Sequence, residues 1–218
     1  MSRTSLETIE LIIRTMSEVA LENRSYFCEL DGVVGDGDLG NSLASGFEAI
    51  TVTNWDTLDR SSPGSFLKNV AMVFMGNVGG VSGSIWGTAF LRAGVTAGDK
   101  QELTMDDLRA MLWAAIEGMK KRGKADLGDK TLLDAFVPAV EAFEKTIDDG
   151  GTTLDALREA AVVARAKTEE TKPWQAKRGR ASYTGERSCN TYDAGSVAIA
   201  MMAERLVEVW EAEQQLAT

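Results

Sequence analysis

Apolar residues recur every three to four positions through most of this 218-residue chain, the spacing that lines one face of an α-helix. Thr4-x-x-Glu7 reads as a capping box, and behind it Ile9, Ile12, Ile13, Met16 and Val19/Ala20 form one stripe, predicting a helix over residues 4–23. A second helix is expected over 41–52. Ser62-Pro63 pairs an N-cap with a first-turn proline and opens a third through Phe66, Val70, Val73 and Phe74. The same spacing predicts a fourth over 84–97, a fifth from Thr104-x-x-Asp107 toward 121, a sixth over 130–148, a seventh over 153–171 and an eighth over 193–215. Pro138 should kink the sixth, or mark a late start to its packed half. Helical spacing fits each segment better than alternation does. The expected fold is all-α: eight antiparallel amphipathic helices with short connections, forming a bundle or closed barrel over residues 1–218 as a single domain. The longest irregular stretch, 172–192, is the length of loop that often carries function.

The unusual residues collect in the connections. Ahead of the second helix runs Leu30-Asp-Gly-Val-Val-Gly-Asp-Gly-Asp-Leu-Gly-Asn41, with Asp31, Asp36 and Asp38 close together. Carboxylates so near repel unless a cation lies between them, and glycines at 35, 37 and 40 let the backbone fold tightly around it. Hard oxygen donors without Cys or His suit Mg²⁺ or Ca²⁺, and Mg²⁺ commonly shares its site with substrate phosphates. Gly35-Asp-Gly-Asp-Leu-Gly40 also fits the dinucleotide pattern G-x-G-x-x-G, but its acidic residues would repel bare phosphates and no strand leads into it. An EF-hand fails at Gly40 and Phe47, where ligands are required. An acidic surface turn is the bland alternative for this segment taken singly.

Three further loops point the same way. Met75-Gly-Asn-Val-Gly-Gly-Val-Ser-Gly-Ser84 places free amides and a hydroxyl ahead of a helix, a phosphate cradle or else a plain turn. Arg122-Gly-Lys-Ala-Asp-Leu-Gly-Asp-Lys-Thr131 offers Asp129 as a cap for the sixth helix, and Gly123 as a place where a flat ring can approach the backbone. Lys177 to Ser188 is a basic island in which Arg178 or Arg180 can neutralise phosphate oxygens, a solvated loop being the alternative. Asp193-Ala-Gly195 stands at the start of the last helix. The acidic, Gly/Ser, glycine-bearing and arginine loops precede even-numbered helices, so an up-and-down arrangement puts them at one end.

Composition narrows the chemistry. Thirty-three acidic against 23 basic residues give a net charge of −10, which argues against nucleic acid or an anionic membrane as partner. No apolar run approaches a membrane span, and the first residues lack the apolar core of a signal peptide, so a cytoplasmic location is expected. Cys28 and Cys189 form no metal motif and read as free thiols. Histidine is absent altogether, which excludes Ser-His-Asp and Cys-His nucleophiles, a phosphohistidine carrier and the His-Arg-Asp loop of protein kinases.

With Gly35-Asp-Gly-Asp-Leu-Gly40, Gly79-Gly-Val-Ser-Gly83, Gly128-Asp-Lys-Thr131 and Gly179-Arg-Ala-Ser-Tyr-Thr-Gly-Glu-Arg-Ser188 in this order, the chain resembles the nucleotide-binding L subunit of dihydroxyacetone kinase over essentially its whole length. The resemblance implies an eight-helix barrel with ADP or ATP at one end. It implies two Mg²⁺ held by Asp31, Asp36 and Asp38, and phosphate contacts from Leu39, Gly40, Asn41, Ser42, Val81 and Ser82. Gly123, Leu132, Arg180 and the turn Asp193, Ala194, Gly195 would surround the nucleotide, with Arg180 also offsetting charge during transfer. Two departures stand out: Leu39 where many members have His, and Asn190-Thr-Tyr-Asp-Ala-Gly195 where Gly-His-Gln-Asp-Pro-Gly is usual.

What the resemblance implies is half of an enzyme. The ketose would be held by a histidine of a separate K-type subunit, which fits a chain that has none. The phosphoryl donor is either exchanging ATP or resident ADP recharged by a phosphotransferase-system protein. A homodimer is among the assemblies left open. The alternative function is a catalytically silent nucleotide-sensing or regulatory subunit.

Overall fold

A computed structural model describes residues 3–216. Met1 and Ser2, which begin the segment read for a signal peptide, lie outside the described residues, as do Ala217 and Thr218. The all-α expectation holds: nine α-helices and no strand are present among the described residues. They are α1 (Ser5–Glu22), α2 (Arg24–Gly32), α3 (Leu39–Glu48), α4 (Pro63–Asn77), α5 (Gly80–Ala97), α6 (Met105–Gly123), α7 (Leu133–Asp148), α8 (Thr153–Glu170) and α9 (Ala194–Leu216). Short irregular helices occupy Ala49–Thr53 (π), Trp55–Thr57 and Arg180–Ser188 (both 3₁₀).

The expected count of eight is therefore corrected by α2. Phe27 is its one buried residue, so no repeating apolar stripe marks it in the sequence. Three boundaries also move. The second predicted helix begins at Leu39 and passes at Ala49 into a π turn. The fourth begins at Gly80, leaving only Val78 and Gly79 between α4 and α5. The sixth begins at Leu133 because Lys130 takes a left-handed φ of +61°, which helical geometry cannot follow directly. Asp129 does not cap it. Buried Asp134 instead accepts from the amides of Gly128 (2.5 Å) and Thr131 (2.7 Å), closing the preceding loop. Pro138 lies inside α7, which runs on through it to Asp148.

The chain forms two compact units: residues up to Arg24 with Asn41–Lys124, and Ser25–Gly40 with Ala125 onward. In the first, α4, α5 and α6 pack in succession. Phe47, Phe74 and Phe90 meet edge to face at 5.4–6.2 Å, with Trp86 6.4 Å from Phe47. A Cβ on Gly94 would come within 2.8 Å of the Gly64 carbonyl oxygen, so these glycines permit the close approach of α4 and α5. Thr4 and Thr104 form the expected capping boxes, and Ser62 accepts from the Ser65 amide.

In the second unit α7, α8 and α9 pack together, and their buried positions include the small residues Ala135, Ala156, Ala164, Ala198 and Ala200. Arg165 grips Glu204 with two bonds of 2.8 and 2.7 Å, tying α8 to α9. Among the described residues no helix is long and apolar enough to cross a membrane.

Candidate functional site

Asp31 lies in the last turn of α2, and the chain turns back so that Asp38 immediately precedes α3. The Asp38 amide donates to Asp31 Oδ2 at 3.0 Å, and the Gly35 amide donates to the Asp31 carbonyl at 2.5 Å. A Cβ on Gly35 would collide with the Asp31 carboxylate and carbonyl, and Gly37 sits at φ +73°. Glycine is thus demanded at both positions by the fold of this turn. One carboxylate oxygen from each of Asp31, Asp36 and Asp38 lies within 4.8 Å of the other two.

This concentration of charge has an electrostatic signature. Desolvation, then repulsion from Asp36 and Asp31, raises the Asp38 carboxyl above its ordinary range, while Arg180 opposes the rise. Arg180 itself pairs with Asp36, Nη1 to Oδ2 at 2.7 Å. Three carboxylates with no sulfur or imidazole donor fit a hard divalent cation such as Mg²⁺. Arg178, the other arginine proposed for phosphate, is engaged elsewhere: its Nε donates to Asp129 at 3.0 Å.

A small cleft adjoins Asp31, lined also by Leu30, Val34, Thr191, Tyr192 and Asp193. Asp193 accepts from the Ser196 amide at 2.7 Å and so caps α9. Burial pushes its carboxyl up to about 6, against the lowering effect of the Ser196 hydrogen bond. Leu132 meets this turn: a Cβ on Gly195 would lie 3.1 Å from Leu132 Cβ and 3.2 Å from Asp193 Oδ2. Ala194 also lines the cleft.

The second unit therefore assembles Asp31, Asp36, Asp38, Arg180, Leu132, Asp193, Ala194 and Gly195, together with Leu39 and Gly40 at the start of α3. Asn41, Ser42, Val81, Ser82 and Gly123 belong to the first unit. There Asn41 Oδ1 accepts from Arg24 Nε at 2.7 Å, exposed Val81 and half-buried Ser82 occupy the first turn of α5, and Gly123 ends α6.

The residue that sequence reasoning missed is Lys130. The sequence places it at the start of the sixth helix and within a matching motif, yet it is almost fully buried and borders the cleft. A lysine between loop glycine and helix carries no sequence signal of burial.

Known proteins supply the remaining comparison. The DAK2 domain family matches residues 33–208. The chain is 35% identical over 181 residues to the PEP-dependent dihydroxyacetone kinase, ADP-binding subunit DhaL, of Escherichia coli (strain K12), covering 83% of this chain and 86% of that one. The PTS-dependent DhaL of Lactococcus lactis subsp. lactis (strain IL1403) is 36% identical over 197 residues, covering 88% and 92% respectively. An L-erythrulose 1-kinase of Mycolicibacterium smegmatis is 32% identical over 208 residues, which are 95% of this chain but 36% of that longer protein. The crystal structure of C. freundii dihydroxyacetone kinase in complex with AMP-PNP and Mg²⁺ shares the fold, with a TM-score of 0.71 at 22% identity over 95% of this chain and 35% of that one. The all-α fold and the match from 33 to 208 agree with the DhaL identities, and the chain belongs to the DAK2 domain family.

Proposed function

We propose that this chain is the nucleotide-binding subunit of a kinase for small ketoses, holding ADP or ATP with two Mg²⁺ at Asp31, Asp36 and Asp38. The observation that carries the reading is the meeting of three carboxylates within 4.8 Å, beside an arginine paired to one of them, in a member of this family. Relatives named as dihydroxyacetone and erythrulose kinases support a three- or four-carbon ketose as acceptor. Their names as PEP- or PTS-dependent ADP-binding subunits support resident ADP, recharged by a phosphotransferase-system protein, over exchanging ATP. The ketose is held by a separate K-type subunit, and the chain is active only with that partner. The whole chain is one L-type domain, since the family match runs unbroken through both units.

When bound, Mg²⁺ neutralises the nucleotide's β- and γ-phosphate oxygens. The chain's own residues do the rest by placement. Asp31, Asp36 and Asp38 would hold the cation, and Arg180, paired to Asp36 beside them, would offset negative charge on the transferring group. The α3 N-terminus at Leu39 and Gly40 is the end of a helix whose amides suit a phosphate. The ketose hydroxyl oxygen bonds to the γ-phosphorus, its proton passes to a base of the sugar-binding partner, the bond to the β,γ-bridging oxygen breaks, and ADP remains as the leaving group. Leu132 and the Asp193–Gly195 turn are assigned to the nucleoside.

A native mass spectrum of the desalted chain, before and after adding Mg²⁺ and ADP, tests this reading. Resident ADP with two Mg²⁺ before addition is the expected result, and no adduct under either condition would refute nucleotide binding. The same spectrum reads whether the chain is a homodimer.

A further inference from the structure

Lys130 carries a buried charge that the proposed phosphate chemistry does not use. It is 3% exposed. Its ammonium donates to the carbonyl oxygens of Lys172 (3.0 Å), Trp174 (2.9 Å) and Ser188 (2.6 Å). An ammonium has three donors, and here all three are committed to main-chain oxygens, leaving none for a ligand. A buried cation is costly unless its hydrogen bonds are met, whereas an apolar side chain would fill the same space without that cost. What the lysine offers in return is the segment it holds.

The three carbonyls bracket the loop that carries Arg180: two lie just beyond α8 and one at the end of the 3₁₀ segment Arg180–Ser188. Neighbouring contacts grip the same loop. The Lys177 amide donates to the Asp129 carbonyl at 3.0 Å, and Arg178 Nε donates to the Asp129 carboxylate at 3.0 Å. The Ala176 amide donates to Ser188 Oγ at 2.9 Å, joining the two ends of the loop to each other. Downstream, Ser196 Oγ donates to the Thr131 carbonyl at 2.8 Å. Residues 129–131 thus form a peg around which 172–196 is wound.

We infer that Lys130 is a positioning residue: it locks both ends of the Arg180 loop so that the guanidinium is delivered to Asp36 and to the nucleotide phosphates. The first half of this statement concerns the free protein; the last step rests on the nucleotide reading above.

The test uses Lys130→Met, Lys130→Gln, Arg180→Ala and the Lys130→Met/Arg180→Ala double variant of the full chain. Hydrogen exchange without nucleotide should rise on the order of tenfold or more across 175–190 in Lys130→Met, with Lys130→Gln intermediate and α4–α6 unchanged. Calorimetric titration with ADP and Mg²⁺ should show Lys130→Met weakening affinity on the order of tenfold, and no further loss when it is added to Arg180→Ala. Unchanged exchange across 175–190 overturns the proposal. Equal affinity losses in both backgrounds overturn the link through Arg180. If the wild-type chain binds no nucleotide, the functional reading fails while the exchange data still decide the role of Lys130. Should Lys130→Met not fold, Lys130→Gln is read by the same two criteria.

Discussion

At the residue scale Arg180 supplies an opposing charge to Asp36 within the aspartate turn. On the proposed reading, a cation with two positive charges would compete for the same carboxylate. Asp36→Asn removes both the ligand charge and the ion pair. Its Mg²⁺-dependent ADP affinity should fall on the order of a hundredfold by titration calorimetry, ~3 kcal/mol; an unchanged affinity would remove Asp36 from the site. Asp193 behaves differently. Its folded-state carboxyl titrates at about 6 rather than the usual 3.8, so the folded protein holds this proton more tightly than the unfolded chain does. The contribution to stability is complete below the ordinary value and is lost as pH rises through the folded one. Relative to Asp193→Asn, which keeps a capping oxygen, the wild type should lose on the order of 2–3 kcal/mol between pH 4 and 7 in urea unfolding. Parallel pH profiles for the two proteins would contradict the buried-carboxyl account.

At the element scale, helix starts position the chemistry, and glycines decide how closely those starts can approach. Gly83 lies in the first turns of α5, where a Cβ would run into the Val78 carbonyl oxygen. Gly76, near the end of α4, has nothing within 4 Å of such a Cβ. Gly83→Ala should therefore lower stability by roughly 1–3 kcal/mol, whereas Gly76→Ala should raise it by about 0.5–1 kcal/mol. Thermal unfolding of the two variants compares them directly, and equal shifts would count against the close contact. The capping box of α6 is an independent check on local structure. Thr104 both accepts from and donates to Asp107, whose carboxyl is held down to about 2 by Lys100 and then Thr104. Thr104→Ala should cost about 1 kcal/mol.

For the whole molecule, the net charge of −10 and the clustered carboxylates mean that a cation bound there would add stability. Ligand that binds only the folded state adds RT ln(1 + [L]/Kd), roughly 2.7 kcal/mol at a hundredfold excess over Kd. Thermal unfolding should shift upward with ADP and Mg²⁺ together and much less with ADP in the presence of a chelator. An equal shift in both would mean that the aspartates do not bind the metal that bridges the nucleotide.

Helices and family were largely legible in the sequence, for one reason: each depends on neighbours in sequence. Capping boxes at Thr4 and Thr104, the proline start at Pro63 and the glycine-rich acid turn are local, and their side chains and backbone needs are written within a few residues. The all-α class follows from periodicity alone. α2 was hidden because a single buried Phe27 makes no period, and the start of α7 was misplaced because left-handed Lys130 is a loop conformation that composition does not reveal. Only the tertiary structure decided that Arg180 pairs with Asp36, that Arg178 is taken by Asp129, and that Lys130 is the buried peg of the intervening loop. Those contacts join residues 42 to 144 positions apart, with side chains that any solvated basic loop would carry; which ones are buried and which reach the carboxylates depends on how α2, α7 and the loop before α9 are packed in the second unit.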